Sequence, residues 1–180
     1  MAKRAVLIAG PTASGKSGFA MALAKRVNGV IVNADSMQVY DGLRILTARP
    51  TPDDEHALPH RLYGHVAPDT RYSVGAWLRD IAPVLQNIAE RSMVPIIVGG
   101  TGLYFKALTE GIAETPQISE RDHADFVTRH AALTTPQLQD RLVAVDRDSA
   151  DRIERNDRQR TLRALMVLEL TGQSLSDWQR

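Results

Sequence analysis

Cysteine is absent from the 180 residues. That excludes a disulfide framework, a thiolate metal site and a cysteine nucleophile. Lysine is scarce. Of 22 basic residues, 18 are Arg and four are Lys (Lys3, Lys16, Lys25, Lys106), and Arg suits planar, bidentate contact with phosphate and carboxylate. Long hydrophobic runs are also missing, with nothing near the ~18 residues of a membrane span. The basic start Met-Ala-Lys-Arg is followed by an apolar stretch from Ala5 to Ala9 that stops at Gly10-Pro11, too brief for a signal peptide. Nor does one sign of charge dominate, since 22 Lys+Arg face 21 Asp+Glu for a net +1. With 43% hydrophobic residues, this is an ordinary globular mix, which excludes wholesale disorder and collagen-like repeats. The length suggests one domain, or one with a small insertion. The chain reads as cytoplasmic and not membrane-bound.

Charge carries more information by position. The segment from Met1 to Pro52 holds seven basic residues and two acids, net +5. Phosphate-bearing ligands fit such a segment, and so does a solvated face.

The pattern of elements predicts an α/β fold with a parallel sheet flanked by helices. Ala5-Val-Leu-Ile-Ala9 reads as a strand buried on both faces. A glycine loop, Gly10 to Gly15, follows. A helix begins at Lys16, with Phe19, Ala20, Leu23 and Val27 on one face, and ends at Asn28-Gly29. A second strand, Val30-Ile-Val32, completes a βαβ unit. Thr51 to His65 is polar and Pro-rich and reads as loop. Ser73 caps a helix to about Arg91 with a 3.6-residue apolar period, and Pro83 inside it predicts a kink or a late start. Pro95-Ile-Ile-Val98 is a third strand, Gly99 to Gly102 a second glycine turn, and Leu103 to Leu108 helical. Glu114 to about Arg155 is rich in charge and Ala, and reads as a helical insertion of two or three short helices. Asn156-Asp157 opens a last helix, closed by Thr171-Gly172. The expected division is therefore 1–113 as the α/β core, 114–155 as the insertion and 156–180 as a helix returning to the core.

Four motifs carry chemistry. Gly10-Pro11-Thr12-Ala13-Ser14-Gly15-Lys16-Ser17 matches the P-loop pattern G-x-x-x-x-G-K-[ST] between a strand and a helix. Glycines let backbone amides wrap phosphate oxygens at a helix N-terminus. Lys16 adds a cation at the outer phosphates, and Ser17 can ligate Mg²⁺. Whether the ligand is a nucleoside triphosphate or another diphosphate stays open on this motif. Asn33-Ala-Asp35-Ser36-Met37-Gln38-Val-Tyr40 lies just past a strand's C-terminal end, the edge where open α/β sheets bind ligands. Asp35 there is a candidate general base or Mg²⁺ partner; a helix cap or turn is the bland alternative. Val98-Gly99-Gly100-Thr101-Gly102-Leu-Tyr104 ends another strand and turns Thr101 toward the same crevice, or else is a tight turn with a capping Thr. Asn156-Asp-Arg158-Gln159-Arg160-Thr161-Leu162-Arg163 puts Arg160 and Arg163 on one helical face with Arg158 at the start, a pattern that also suits a solvated helix. His56, His60 and His65 lack the spacing of a metal site.

Together, GPTASGKS, ADSMQVY, VGGTGLYFKAL and NDRQRTLRALMVLELTGQSLSDWQ resemble the bacterial tRNA dimethylallyltransferases, also called tRNA isopentenyltransferases. The resemblance also takes in Gly42 to Pro52 and Pro59-His60. It implies a P-loop NTPase-like core and transfer of a dimethylallyl group from dimethylallyl diphosphate to the exocyclic amine of the adenine next to the anticodon. In that reading the P-loop holds the diphosphate with Mg²⁺. Asp35 is the base, Thr101 positions the reaction at the diphosphate and the amine, and Arg158 contacts the diphosphate. The tRNA anticodon stem-loop is bound by Asp35, Ser36, Met37, Gln38, Thr101, Gln159, Arg160, Thr161, Leu162 and Arg163. The insertion would lie against the stem. One departure stands near His123, where the family often carries Arg; a His there makes a phosphate contact weaker and pH-dependent. The implied protein is a monomer. Family members are longer, so the resemblance also implies a C-terminally cut chain. The alternatives are a P-loop small-molecule kinase and a non-enzymatic P-loop switch.

Overall fold

The computed structural model describes residues 4–113 and 118–178. The expected start of the insertion at Glu114 and the final Gln179 lie outside those residues. The described chain forms two compact units, Met1–Gly111 and Ile112–Arg180.

The first unit holds β1 (Val6–Ala9), α1 (Lys16–Val27), β2 (Gly29–Asn33), α2 (Pro52–Ala57), β3 (His60–Arg61), α3 (Val74–Glu90), β4 (Val94–Gly99) and α4 (Gly102–Glu110). Its sheet is parallel throughout, in the order β1-β4-β2-β3. β4 therefore sits between the two strands of the expected βαβ unit. The register aligns Ala9 with Gly99 and Asn33 with Val98. Three strands thus end side by side, and each runs directly into one of the predicted motifs.

Central strands and edge strands differ as the order requires. β2 is buried along its whole length, and in β4 only Val94 is partly exposed. β1 lies at an edge and alternates, with Leu7 42% exposed. The continuous apolar run of β1 predicts burial on both faces, and the structure corrects that. The α1 face is corrected too. Ala20 and Ala24 are buried against Ile31, Ile96 and Val98, while Phe19 is 62% exposed. Small residues are required there. A side chain at Gly29 would come within 2.7 Å of Ile96 and 2.9 Å of Ala24, so helix and strand approach closely. On the other face, Val30, Val32 and Ile97 pack with Trp77, Ile81, Ile88 and Tyr104. Trp77 and Tyr104 stack with centroids 4.4 Å apart.

The segment 51–65, expected as loop, holds the short helix α2. Thr51 and Asp54 form a capping box, Pro52 opens the first turn, and Asp53, Asp54 and Glu55 sit at its positive end. Each of these is a helix-start signal. α3 begins at the predicted cap, where Ser73 Oγ accepts from Ala76 N at 3.2 Å. It runs unbroken through Pro83.

The second unit is helical: α5 (Glu120–His130), α6 (Thr135–Val145), α7 (Arg147–Arg152), α8 (Arg158–Thr171) and α9 (Leu175–Trp178). The last long helix, expected to return to the α/β core, packs within this helical unit. Ala164, Leu165 and Met166 of α8 share an apolar cluster with Phe126, Leu138, Leu142 and Ala150. Its own composition explains this. Four consecutive buried residues, Ala164 to Val167, point all round the helix, and Ala164, Leu165 and Met166 pack with residues of α5 and α6. Among the described residues, no helix is long and apolar enough to cross a membrane.

Candidate active site

The P-loop bends where β1 ends. Gly15 takes φ 81° and Ala13 φ 63°, left-handed values that a glycine adopts without cost. The bend opens α1 with no side-chain cap. The first amides of α1 are therefore available to an anion, with the helix dipole behind them. Residues Pro11 to Gly15 and Ser17 are exposed. Lys16 Nζ rests on the Pro11 carbonyl at 2.9 Å, which folds the cation back over the loop.

At the end of β2 the chain makes a tight, fully bonded turn. Asn33 Oδ1 accepts from Asp35 N at 2.9 Å, and Asp35 Oδ1 accepts from Met37 N at 2.9 Å. The end of β4 is tied to the same turn. Ala34 N donates to Val98 O at 2.8 Å, and Thr101 N donates to Ala34 O at 3.2 Å. Thr101 Oγ1 accepts from Ser36 N at 2.9 Å and lies 3.3 Å from Ser36 Oγ. Gly99 is what allows this proximity, since a Cβ there would collide with the Ala34 carbonyl. A Cβ on Gly100 would stand 3.3 Å from Asp35 Oδ2 and 3.6 Å from Gly10 O. The half-buried Asp35 carboxylate and the first residue of the P-loop thus flank one glycine. Asp35, Ser36, Thr101 and the P-loop, predicted separately, meet at one edge of the sheet.

Two phenols lie close enough to feel the Asp35 charge, Tyr104 buried and Tyr63 partly buried. Burial first, then the nearby Asp35 carboxylate, pushes Tyr63 well above the usual tyrosine range. Burial, with Tyr40 and Asp35 adding to it, pushes Tyr104 up to about 12. Both stay neutral at physiological pH. On the outer side, Gln38 Nε2 donates to the carbonyls of Thr47 and Ala48 at 2.8 and 3.2 Å. Its amide nitrogen braces the 43–48 turn, and among the described residues its oxygen has no bonded partner. That turn exposes Ile45 and Leu46, and Met37 is exposed beside Gln38 in sequence. Arg49 is buried under Gly64, donates to Tyr40 O at 3.1 Å and lies 3.5 Å from Asp41.

The residues expected on α8 divide. Gln159 and Arg160 are exposed, and Arg163 is partly so. Arg160 Nε lies 3.3 Å from Asp157. Thr161 is fully buried and donates to Gln139 at 3.0 Å or Asp157 O at 2.8 Å. Leu162 packs against the helical core. Thr161 is turned inward, while Leu162 stays partly exposed. Arg158, expected at a diphosphate, gives its guanidinium to the carbonyls of Leu133 and His130 at 2.6 and 3.4 Å. Within its own unit it closes the α5–α6 turn. His123 lies half-buried on α5.

Asn33 and Tyr104 fall within the two strand-end motifs but have no role assigned from the sequence, and Trp77 lies outside them. Asn33 carried a signal, being a carboxamide at the end of an apolar strand.

Comparison with known proteins gives the family. The IPP transferase family profile matches residues 38–180, and the isopentenyl transferase profile matches residues 3–65. The tRNA dimethylallyltransferase of Azorhizobium caulinodans is 53% identical over 98% of this chain and 56% of its own length. That of Allorhizobium ampelinum is 51% identical over 97% of this chain and 58% of its own. The chain thus spans less than two thirds of these relatives. A solved structure of a eukaryotic dimethylallyltransferase acting on tRNA superposes with a TM-score of 0.79 at 28% identity, over 98% of this chain and 44% of that one. The tRNA isopentenylpyrophosphate transferase of Bacillus halodurans superposes with a TM-score of 0.61 at 34% identity, over 96% and 57%. The α/β core is P-loop NTPase-like, as in these structures, and the chain belongs to the IPP transferase family.

Proposed function

We propose that the chain transfers a dimethylallyl group from dimethylallyl diphosphate to the exocyclic amine of the adenine 3′-adjacent to the anticodon of a tRNA. The observation that carries this is the placement of a carboxylate beside a phosphate cradle, with Asp35 Oδ2 and Gly10 O on either side of Gly100.

An adenine amine is a weak nucleophile because its lone pair is delocalised into the ring. Its attack on the allylic carbon forms a C–N bond while the C–O bond breaks, and the diphosphate leaves with the electron pair. Asp35 takes the proton that the amine must lose, acting as general base. The P-loop amides and Lys16 stabilise the charge that grows on the leaving group. Thr101 holds the Asp35–Ser36 turn by its bond from Ser36 N and lies at the edge where diphosphate and amine meet. The adenine reaches this edge by leaving its stack.

Mg²⁺ suits the donor set. Among the described residues no group of three or more His, Cys, Asp or Glu side chains is placed to hold a metal. Mg²⁺ needs none, since it keeps waters and substrate phosphates and takes only one or two protein ligands. The Ser17 hydroxyl at the P-loop would supply one. When bound, the ion neutralises charge on the diphosphate oxygens.

The tRNA contacts follow from exposure. Ser36, Met37 and the free oxygen of Gln38 line the base-facing edge, and Gln159, Arg160 and Arg163 offer polar and cationic contact to the backbone. His123 on the helical unit is a weaker, pH-dependent phosphate contact. A tRNA substrate places the chain in the cytoplasm, where it works as a monomer.

The test is to incubate the chain with Mg²⁺, dimethylallyl diphosphate and undermodified tRNA, digest the tRNA and measure isopentenyladenosine. Product that requires all components is the expected result. Phosphoryl transfer from ATP to a small acceptor, without prenylated tRNA, would overturn the proposal.

A further inference from the structure

We propose that Asn33 is the positioning residue of this site: its carboxamide grips the Asp35 peptide and so aims the Asp35 carboxylate. The catalytic part of this inference rests on the prenyl-transfer reading above; the structural part stands on the bonds alone.

Asn33 ends β2, a strand buried at all five positions, and is itself 0% exposed. A carboxamide there is costly unless its polar atoms are bonded. All of them are, and the partners are informative. Oδ1 accepts from Asp35 N at 2.9 Å, while Nδ2 donates to Asp35 O at 2.9 Å and to Leu62 O at 3.0 Å. One side chain therefore holds both main-chain polar groups of Asp35 and anchors them to the segment that follows β3. The clamp is itself held, because the Asn33 carbonyl accepts from the buried Trp77 Nε1 at 2.9 Å.

The consequence reaches the carboxylate. With the Asp35 backbone fixed, Oδ1 is taken by Met37 N at 2.9 Å. Oδ2 is then the oxygen turned to Gly100 and the P-loop side. Few residue types do this. Asp lacks the donor, Ala lacks both groups, and Ser closes the same short turn more weakly with a single hydroxyl. A base displaced by about 1 Å loses roughly 100-fold in rate, so a clamp of this kind bears directly on catalysis while leaving the phosphate cradle alone.

The experiment compares Asn33→Ala and Asn33→Ser with the wild-type full chain. Three readouts are taken: amide hydrogen exchange, inorganic pyrophosphate affinity, and prenyl-transfer kinetics. We expect the Asp35 and Met37 amides of Asn33→Ala to exchange at least about tenfold faster, with Val30 to Val32 still protected. Pyrophosphate affinity and the KM for tRNA should stay within about threefold, and kcat should fall about 10- to 100-fold. Asn33→Ser should recover part of both the protection and kcat. It also serves where the alanine variant does not fold. Unchanged exchange at Asp35 and Met37 would overturn the clamp. Altered exchange with wild-type kcat, or losses confined to KM, would overturn the positioning role. A wild-type chain that makes no prenylated tRNA, yet shows the expected exchange pattern, would overturn the functional reading and leave the clamp established.

Discussion

Replacing Gly99 by Ala tests the close approach of β2 and β4 on which the site is built. A Cβ at Gly99 would stand 2.7 Å from Asp35 N and closer still to the carbonyl of Ala34. Carbon contacts are comfortable at about 3.5–4.0 Å, so the two strand ends must part by roughly 1 Å. The obstructing atoms are backbone, and no side chain can swing aside. Forcing a methyl into such a place costs about 1–3 kcal/mol, and the upper end applies. For a chain of this size that is a fall in Tm of roughly 6–12 °C at about 2–4 °C per kcal/mol. The same displacement moves Asp35 and should lower transfer about 100-fold. Gly100→Ala is the control. Its Cβ meets Asp35 Oδ2 at 3.3 Å and Gly10 O at 3.6 Å, so stability should stay within about 0.5 kcal/mol. Urea unfolding and single-turnover transfer on both variants measure this. A Gly99→Ala protein as stable and as fast as wild type would refute the account of how the strand ends set the site.

Three further outcomes follow from the same geometry. Asp35→Asn keeps an oxygen for Met37 N but cannot take a proton, so transfer should fall about 10²–10⁴-fold; calorimetry with pyrophosphate should show unchanged affinity, and an equal loss in both would remove Asp35 as base. Trp77→Phe deletes the donor to the buried Asn33 carbonyl and should cost about 1–3 kcal/mol, read from denaturant unfolding. Tyr104 is raised to about 12 by burial first, then by Tyr40 and Asp35. A raised phenol favours folding fully below the unfolded value of 10, and that contribution is lost as the pH climbs toward 12. Absorbance titration should therefore show Tyr104 ionising late or together with unfolding, and Tyr104→Phe should flatten the loss of stability across that window; ionisation of native Tyr104 near pH 10 would contradict it.

The elements most legible in the sequence were those whose signals are local. The P-loop, the Ser73 cap, the Asn28 and Gly172 helix ends and the buried strands β2 and β4 each depend on a few neighbouring residues. The 51–58 helix was equally local in its signals, yet its polar composition outweighed the Thr51–Asp54 box. Other features were not legible because they depend on neighbours distant in sequence. Phe19 was expected on the packed face from helical spacing, but the close approach at Gly29 brings Ala24 against the strand, with Ala20 buried and Met21 and Leu23 partly buried in the same cluster. The family resemblance implies Thr161 as a contact residue, and only the fold shows it turned onto Gln139. The place of α8 was likewise decided by which apolar face lay open to it.

What the sequence determined by itself is the chemistry available: a phosphate cradle with its lysine, a carboxylate and a threonine at strand ends, and the family that arranges them so. Those depend on residue type and short spacing. The tertiary structure alone decided that β4 enters between β1 and β2, and hence that Asp35 and Gly10 face each other across Gly100. It also decided that the Asn33 carboxamide, buried at the end of β2, bonds to the main chain of Asp35 and to Leu62 O. Strand order is set by packing between segments remote in the chain, and no local pattern encodes it; of the Asn33 carboxamide bonds, the two to Asp35 are local and only the one to Leu62 O is remote.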